Sequence, residues 1–226
     1  MSVAAGGPNG DLRSLLECLN ALIIGSPGRI RAEVGVVRND DDSVVSKCRV
    51  RLPDLYFSKN FQKFIRNKRV SASHTWIFDL IKGKVNHFEK VYINNERWML
   101  AQDDKTTENN KYYLVIFKDI SLQSIRNLRR EHVPLLTDVA KDVRSFLQDK
   151  HENHREFQMY FHYMPSFFQL HLHVCTRHTR DPVCQYPVAT VIQNLDNQDK
   201  WYLDGLFLSS SSKRSNEPVS DRVGVF

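Results

Sequence analysis

Residues 168–175, FQLHLHVC, constrain the fold more than any other stretch, because apolar and polar side chains alternate strictly along them. The polar positions are Gln169, His171, His173 and Cys175. Alternation with a period of two is typical of a β-strand that is buried on one face, so the segment is predicted to be a strand with one apolar and one chemical face. Neighbours on one face lie about 6.7 Å apart. Two imidazoles at this spacing can contact one small ligand, such as a phosphate group.

The flanking segments predict the sheet to which this strand belongs. Residues 156–163 form another apolar segment, and the turn sequence Met164-Pro165-Ser166 connects it to the histidine strand, so the two are predicted to pair as a hairpin. Residues 91–101 and 112–117 are also predicted to be strands. The clearest helix is residues 131–148, in which apolar side chains recur on one face. We expect an α+β fold with an antiparallel sheet, the histidine strand near its centre and this helix packed against it.

The N-terminal and C-terminal parts predict further elements. Residues 12–22 have helical apolar spacing, and residues 30–37 and 44–52 resemble two strands around an acidic turn. Basic and aromatic residues interleave in residues 57–73, which fits either an ordinary amphipathic helix or a nucleic-acid contact, and the spacing favours the helix. We predict a short α+β domain over residues 1–70, a larger domain over 71–208 that ends in a strand at 200–208, and a flexible tail over 209–226.

Composition excludes several classes of protein. The chain has 226 residues, 41% of them hydrophobic, which is typical of a globular protein. Its net charge of +6 suits an anionic partner, although so small an excess is common. The four cysteines form no CxxC pair, so neither a disulfide framework nor a zinc ribbon is indicated. No apolar run is long enough for a membrane span, and the N-terminus lacks the pattern of a secretory signal, so we expect an intracellular protein.

Three interpretations of the polar face of the histidine strand are open. The histidines can simply line a polar sheet surface. They can also be two ligands of a zinc ion, completed from His162, Cys175, His178 or Cys184. In the third interpretation a neutral imidazole attacks phosphorus and forms a phosphohistidine intermediate, without a metal. That chemistry needs a second group that holds the attacking ring in one tautomer, and donors that meet the charge on the phosphate.

Three sequence segments resemble one known family. HYMPSFFQLHLHV at 162–174 resembles the signature of the scavenger mRNA-decapping enzymes, a branch of the histidine-triad hydrolases; SIRNLRREHVPLL at 124–136 and TWIFDLIKGK around Trp76 resemble two further segments of that family. The family motif has three alternating histidines, of which the middle one attacks. The resemblance therefore implies that His171 is the nucleophile and His173 the third position. Gln169 stands at the first position, where the family has histidine.

The resemblance also implies substrate contacts. Trp76 matches the tryptophan that stacks on 7-methylguanine, Asp103 and Lys105 match residues that contact the cap base and its phosphates, and Ser166 matches a phosphate-contacting serine. His162 matches the histidine that opens the motif and helps to position the phosphate. Besides Gln169, three residues at positions where the family binds its substrate differ from the family's residues. These are Phe167 in place of tyrosine, Asn86 in place of a glutamate that Glu89 can replace after a small shift, and Asp104 in place of an apolar residue.

By this resemblance the protein is expected to be a hydrolase that cleaves the triphosphate bridge of 7-methylguanosine cap dinucleotides or short capped RNA and releases 7-methylguanosine monophosphate. No cofactor or metal is implied. A homodimer in the cytoplasm or nucleus is expected, with the short N-terminal domain as a dimerisation element or lid. The alternative is a catalytically weak or inactive cap-binding or nucleotide-binding protein that acts through partners in RNA metabolism, because Gln169 cannot shuttle a proton.

Overall fold

The computed structural model describes residues 34–38, 44–51, 56–84, 90–107, 110–150, 157–176, 185–205 and 207–210. The chain forms two compact units, one of residues Met1–Asn67 with Asp204–Phe226, and one of Lys68–Leu203. The helix predicted over residues 12–22 and most of the predicted tail lie outside the described residues. No helix in the described part of the chain is long and apolar enough to cross a membrane.

The described residues form strands and helices that occur in groups along the chain. The strands are β1 (Val34–Arg38), β2 (Val44–Arg51), β3 (Val91–Asn94), β4 (Trp98–Gln102), β5 (Tyr112–Phe117), β6 (Gln158–His162), β7 (His171–Cys175), β8 (Gln185–Pro187) and β9 (Phe207–Ser210). The helices are α1 (Lys59–Arg69), α2 (Thr75–Ile81), α3 (Val133–Lys150), α4 (Val188–Asn197) and α5 (Trp201–Asp204). Two short 3₁₀ helices, Ile125–Asn127 and Arg130–His132, precede α3.

The first unit contains a three-stranded antiparallel sheet in the order β1-β2-β9. Val34 of β1 pairs with Arg49 of β2, as expected for the two strands predicted around the acidic turn. The single strand predicted at residues 200–208 is wrong, because α5 occupies its first half and β9 begins only at Phe207. A short apolar run such as WYLDGLFL fits either structure, and Gly205 separates the helix from the strand.

The second unit is built on a six-stranded antiparallel sheet in the order β3-β4-β5-β7-β6-β8. β7 is thus an inner strand, as predicted, and it pairs with β6 in the predicted hairpin. The strand predicted over residues 91–101 is interrupted, because the side chain of Asn95 accepts hydrogen bonds from the backbone N–H groups of Arg97 and Trp98. Asparagine forms such local turns readily, so β3 and β4 are two paired strands.

The register between β5, β7 and β6 determines which side chains share a face. Residues that are directly opposite each other in paired strands project to the same side. On the side away from the histidines, Tyr113 packs against Phe146 of α3, with ring centroids 5.8 Å apart. The buried stripe of α3 consists of Leu136, Val139, Ala140, Val143 and Leu147. The predicted packing of the long helix against the histidine-bearing sheet is therefore confirmed.

The histidine side of the sheet is covered by α2. Ile77 and Leu80 of this helix belong to the same buried cluster as Leu114 and Ile116 of β5. The other buried members of the cluster are Met99, Ala101, Tyr112, Tyr160 and Cys175. The expectation that β7 is buried on one face only is wrong, because all five of its residues are buried. Alternation shows that the two faces differ in chemistry, but it does not show whether a helix covers both.

We predict that Leu136→Ala lowers the free energy of unfolding by about 2–5 kcal/mol, because Leu136 is fully buried beneath the sheet. The exposed Arg144→Ala on the same helix is the control and should change it by less than about 0.5 kcal/mol. The free energy of unfolding is measured by urea denaturation, with tryptophan fluorescence as the signal. All three tryptophans, Trp76, Trp98 and Trp201, lie in the second unit. Equal effects of the two substitutions would contradict the packing of α3.

Candidate active site

Strand pairing brings three histidines together on one face of the sheet. His171 and His173 lie opposite Ile116 and Leu114 of β5, and His173 also lies opposite Tyr160 of β6. His162 follows Tyr160 by two residues and therefore projects to the same side. The ring centroid of His173 is 4.9 Å from that of His171 and 4.4 Å from that of His162. The structure thus groups the three residues predicted to be catalytic.

The tautomer of His171 is set by the main chain. Its Nδ1 lies 2.8 Å from the carbonyl oxygen of Gln169. A carbonyl oxygen can only accept a hydrogen bond, so Nδ1 carries the proton and Nε2 has a lone pair. Burial lowers the pKa of His171, and the charge of Lys105 lowers it further, although the bond to Gln169 opposes the shift. His171 is therefore a neutral ring with Nε2 available as a nucleophile.

His173 is held by tyrosines instead of by the main chain. Its Nδ1 is 2.8 Å from the hydroxyl of Tyr112, and its ring stacks on Tyr160 with centroids 5.4 Å apart. Burial raises the pKa of Tyr112 to about 12, so this hydroxyl keeps its proton at neutral pH. Nε2 of His173 is buried and has no hydrogen-bond partner among the described residues. A buried imidazole nitrogen without a partner is poised to bond a ligand.

All three rings resist protonation. Burial lowers the pKa of His162 to about 4, with smaller contributions from His171 and Lys105. Burial also places the pKa of His173 well below its ordinary value, and the neighbouring histidines add to the shift. Three neutral rings repel an anionic phosphate less than carboxylates would.

Asp103 and Lys105 lie at the edge of the same face. The backbone N–H of Lys105 donates to Oδ1 of Asp103 over 2.8 Å, and the Lys105 Nζ is 3.9 Å from Oδ2. The same Nζ lies 5.1 Å above the ring of Tyr112, which bonds His173. Burial and a hydrogen bond with Asp104 raise the pKa of Asp103 to about 6, against the opposing influence of Lys105. Lys105 is mostly exposed, so its charge can meet an incoming anion.

An aromatic wall closes another side of the site. Trp76 of α2 is half-buried and meets Phe167 at 87°, with ring centroids 5.1 Å apart. Phe167 is in turn 6.2 Å from the ring of His171, also measured between centroids. Ser166, in the same loop, has an exposed side chain, and its carbonyl oxygen accepts a hydrogen bond from Nε2 of His74 over 2.8 Å. Trp76, predicted to contact a base, thus reaches the histidine site through Phe167, and Ser166, predicted to contact a phosphate, precedes Phe167 in the chain.

Gln169 is fully buried and points into the protein framework. Its Nε2 donates to the carbonyl oxygens of Phe117 and Asp119, at 2.7 and 2.9 Å. Its Oε1 accepts from Nη2 of Arg69 at 3.3 Å. The amide therefore has both of its donor hydrogens and an acceptor position engaged by protein atoms. β7 itself begins at His171, so Gln169 precedes the regular strand.

Two of the sequence predictions meet the limits of the described residues. Asn86 and Glu89, which the resemblance places at the guanine edge, lie outside them, as do His178 and Cys184. Within the residues that the structure describes, no group of three or more His, Cys, Asp or Glu side chains could hold a metal ion. The remaining predicted ligands of the zinc interpretation, His162 and Cys175, are not part of such a group.

Sequence reasoning missed the residues that hold the histidines in place. The sequence predicts Tyr112 and Tyr160 only as strand residues, and Arg69 only as part of a basic stretch. His74 received no role, yet it links the start of α2 to the Ser166 loop. The sequence of β5 does indicate that a tyrosine lies near the histidines, because pairing with the histidine strand places either Tyr112 or Tyr113 on the same face as His171 and His173. The register that decides between them is not a local property of the sequence.

Comparisons with known proteins agree with this geometry. The family model described as "Scavenger mRNA decapping enzyme C-term binding" matches residues 75–186, which include α2, β5, β6 and β7. Over this segment the chain belongs to the scavenger mRNA-decapping family. The predicted family and the α+β antiparallel fold are therefore confirmed. The family name supports cap hydrolysis as the activity of the family as a whole.

Several curated relatives of the decapping family are named m7GpppX diphosphatase. The protein from Sus scrofa is 24% identical over 143 residues, which cover 58% of this chain and 42% of the relative. The Homo sapiens protein is 25% identical with the same coverage, and that of Schizosaccharomyces pombe is 30% identical over 134 residues, or 54% of this chain and 42% of the relative. The chain thus spans less than half the length of these curated relatives.

One solved structure, Hnt3 in complex with DNA and guanosine, is similar in fold at a TM-score of 0.37. It is 16% identical, and the match covers 56% of this chain and 79% of that chain. At this TM-score the likeness supports no conclusion about this chain.

We predict that the second unit loses stability as the pH falls from about 6.5 toward about 4. The pKa of His162 is lowered to about 4, so between these values the unfolded chain binds the proton and the folded one does not. His171 and His173 act in the same direction. Asp103 opposes them, because its raised pKa stabilises the fold below about 6.

The measurement is the urea midpoint by tryptophan fluorescence across this pH range. His162→Gln should flatten the dependence, because one buried titrating ring is removed. Tyr160→Phe, which keeps the aromatic stack on His173 and changes no histidine, is the matched control and should keep the slope of the wild type. An unchanged slope in His162→Gln would contradict the lowered pKa of His162.

Proposed function

We propose that this protein is a metal-independent hydrolase that cleaves the triphosphate bridge of 7-methylguanosine cap dinucleotides or short capped RNA and releases 7-methylguanosine monophosphate. Membership of the decapping family supports the reaction class. The observation that carries the proposal is the bond from Nδ1 of His171 to the carbonyl oxygen of Gln169, which leaves a neutral Nε2 with a lone pair. Nucleophilic catalysis by histidine requires that arrangement.

In the first chemical step, Nε2 of His171 attacks the phosphorus that bears the 7-methylguanosine. An N–P bond forms, and the bond from that phosphorus to the bridging oxygen breaks. The bridging oxygen leaves with the electron pair as the terminal oxygen of a nucleoside or oligonucleotide diphosphate. Nδ1 keeps its proton throughout and continues to donate a hydrogen bond to the carbonyl oxygen of Gln169. The ring becomes cationic on phosphorylation, and this bond stabilises that charge.

In the second step, water attacks the phosphohistidine. The water oxygen bonds to phosphorus, the electron pair of the N–P bond returns to Nε2, and one water proton passes to solvent. The products are 7-methylguanosine monophosphate and the neutral imidazole with which the cycle began. Splitting the hydrolysis into two displacements is the usual advantage of covalent catalysis.

The surrounding residues provide charge stabilisation. The Tyr112 hydroxyl donates a hydrogen bond to Nδ1 of His173, so the proton of the His173 ring lies on Nε2. This Nε2, which has no partner among the described residues, donates to a non-bridging phosphate oxygen. Lys105 neutralises phosphate charge at the edge of the histidine face. The exposed hydroxyl of Ser166, in the loop before β7, contacts a phosphate. His162 helps to position the phosphate. Fixed donors of this kind stabilise the charge of a transition state without reorganisation.

The base of the cap is bound by the aromatic wall. The half-buried indole of Trp76 stacks on 7-methylguanine, whose positive charge strengthens contact with an aromatic face. Phe167 packs at right angles to the indole and sets its orientation. Asp103 contacts the base. The pKa of its carboxyl, raised to about 6, still leaves it largely ionised at neutral pH, so it attracts the charged purine.

We predict that the protein releases 7-methylguanosine monophosphate from a methylated cap dinucleotide, and that His171→Asn reduces the rate by about 10³-fold or more because the nucleophile is lost. Separation of the products by chromatography measures both rates. Arg144→Ala, at an exposed position of α3, is the control and should remain active. No release by the wild type under broad conditions of pH and salt would refute the enzymatic claim.

One observation favours binding without turnover as a second function. Both donor hydrogens of Gln169 are engaged by backbone carbonyls, so the first position of the motif offers no group for proton transfer. A protein of this kind would bind a cap or nucleotide and act through partners in RNA metabolism. Calorimetric binding of a cap analogue together with no release of product would distinguish it from the hydrolase.

We predict that Trp76→Ala weakens the binding of a methylated cap analogue by about 1–3 kcal/mol, because the stacking surface is lost. Trp76→Phe retains an aromatic face and should lose less. Titration calorimetry with 7-methylguanosine triphosphate and with unmethylated guanosine triphosphate measures the effect. Trp76→Ala should also narrow the difference between the two ligands, and equal affinities of the variant and the wild type would exclude Trp76 from the site.

The oligomeric state and location complete the proposal. A homodimer in the cytoplasm or nucleus is proposed from family resemblance, and the first unit, with its β1-β2-β9 sheet, is the proposed dimerisation element or lid. A scavenger of cap fragments must meet its substrate where messenger RNA is degraded, which agrees with either compartment.

A further inference from the structure

We propose that Gln169 and Arg69 form a clamp that positions the nucleophile His171, so that the glutamine at the first motif position is a working part of this site and not a lost catalytic group. Arg69 and Gln169 are positioning residues, since they act on the reacting ring through the main chain. The inference rests on the proposed function for its catalytic consequence, but the clamp itself is visible in the hydrogen bonds of the second unit.

The clamp acts on the atom that sets the tautomer of His171. The carbonyl oxygen that accepts from Nδ1 belongs to the main chain of Gln169. The side chain of the same residue donates to the carbonyl oxygens of Phe117 and Asp119, and these residues end β5 and begin the following loop. Gln169 therefore fastens its own backbone to the end of β5. That fastening fixes the carbonyl against which the imidazole is aligned.

Arg69 closes the clamp from a third direction. Its Nη2 donates to the carbonyl of Ile120 at 2.8 Å as well as to Oε1 of Gln169. Its guanidinium lies 4.7 Å above the ring of Phe78 in α2, the helix that covers the histidine face. Arg69 Nη2 thus donates both to the loop after β5 and to the amide oxygen of Gln169. Because the oxygen of the amide faces Arg69, its nitrogen faces the backbone carbonyls. The amide nitrogen must then point toward Phe117 and Asp119.

A histidine at position 169 does not reproduce these bonds. A neutral imidazole has one donor and one acceptor nitrogen, so it can serve only one of the two carbonyls while it accepts from Arg69. A charged imidazole could donate twice, but it would lie beside the guanidinium and lose its acceptor. Restoring the third histidine by Gln169→His is therefore expected to lower the activity of this chain rather than raise it.

The sharpest test is Gln169→Glu, which keeps the shape of the side chain and replaces its two donor hydrogens by an acceptor that faces two carbonyls. We expect the ring of His171 to leave the pure Nδ1–H tautomer and kcat for the methylated cap dinucleotide to fall by up to about a hundredfold, with KM changed less than threefold. Nitrogen-15 NMR of the imidazoles reads the tautomer, and kinetics separate kcat from KM. Gln148→Glu, on an exposed position of α3, is the matched control.

Arg69→Met tests the other half of the clamp. It should shift the His171 tautomer in the same direction as Gln169→Glu. The double variant should lower kcat by less than the product of the two single fold-reductions, because the two residues act as one unit. Arg69→Lys, which retains a donor, should recover part of the loss. If Gln169→Glu does not fold, Gln169→Met replaces it in these measurements, because methionine also lacks the two donor hydrogens of the amide.

The possible outcomes separate the clamp from the proposed activity. A wild-type protein without cap cleavage but with an Nδ1–H tautomer that Gln169→Glu disturbs refutes the activity and supports the clamp. A folded Gln169→Glu variant that keeps the His171 tautomer, with kcat within twofold of the wild type, overturns the clamp and leaves the activity standing. An increase in kcat on Gln169→His also overturns the clamp.

Discussion

Burial of His171 and His173, with half-buried His162 beside them on one face of the central sheet, is the constraint on which the rest of the site depends. β5 and β6 flank β7, and α2 packs on the histidine side of the sheet. The ring centroids of His162 and His171 lie 4.4 and 4.9 Å from that of His173. A charged ring in such surroundings loses its hydration, so the pKa of each imidazole falls. The packing that stabilises the sheet thus also keeps the histidines neutral, and only a neutral imidazole has the lone pair that attacks phosphorus.

A neutral imidazole still has to be assigned one of two tautomers, and the structure does this in two different ways. His171 faces a carbonyl oxygen, which can only accept, so its proton position is determined by the backbone. His173 faces the Tyr112 hydroxyl, which can donate or accept and can therefore follow the needs of a ligand. The proposed nucleophile is thus the more tightly specified ring, and the neighbouring ring proposed to meet the phosphate is the more adaptable one.

The electrostatic character of the site comes from its edge. Lys105 is exposed, close to Asp103 and above Tyr112, and its charge contributes to the lowered pKa of all three histidines. In the proposed function, an interior of neutral rings with a cation at its edge attracts a polyphosphate while leaving the proposed nucleophile unprotonated. The modest excess of basic residues in the whole chain says little about this, because the placement of one lysine matters more than the net charge.

The sequence by itself determined the histidine strand, the hairpin with β6, the long helix α3 and the family, because these follow from local periodicity and from a contiguous motif. Only the tertiary structure decided that β7 also pairs with β5 and that Tyr112 thereby reaches His173. It also decided that α2 covers the polar face and that the amide of Gln169 is bound to Phe117, Asp119 and Arg69. The physical reason is that alternation fixes which side chains share a face, whereas strand partners and register depend on contacts between residues far apart in the chain.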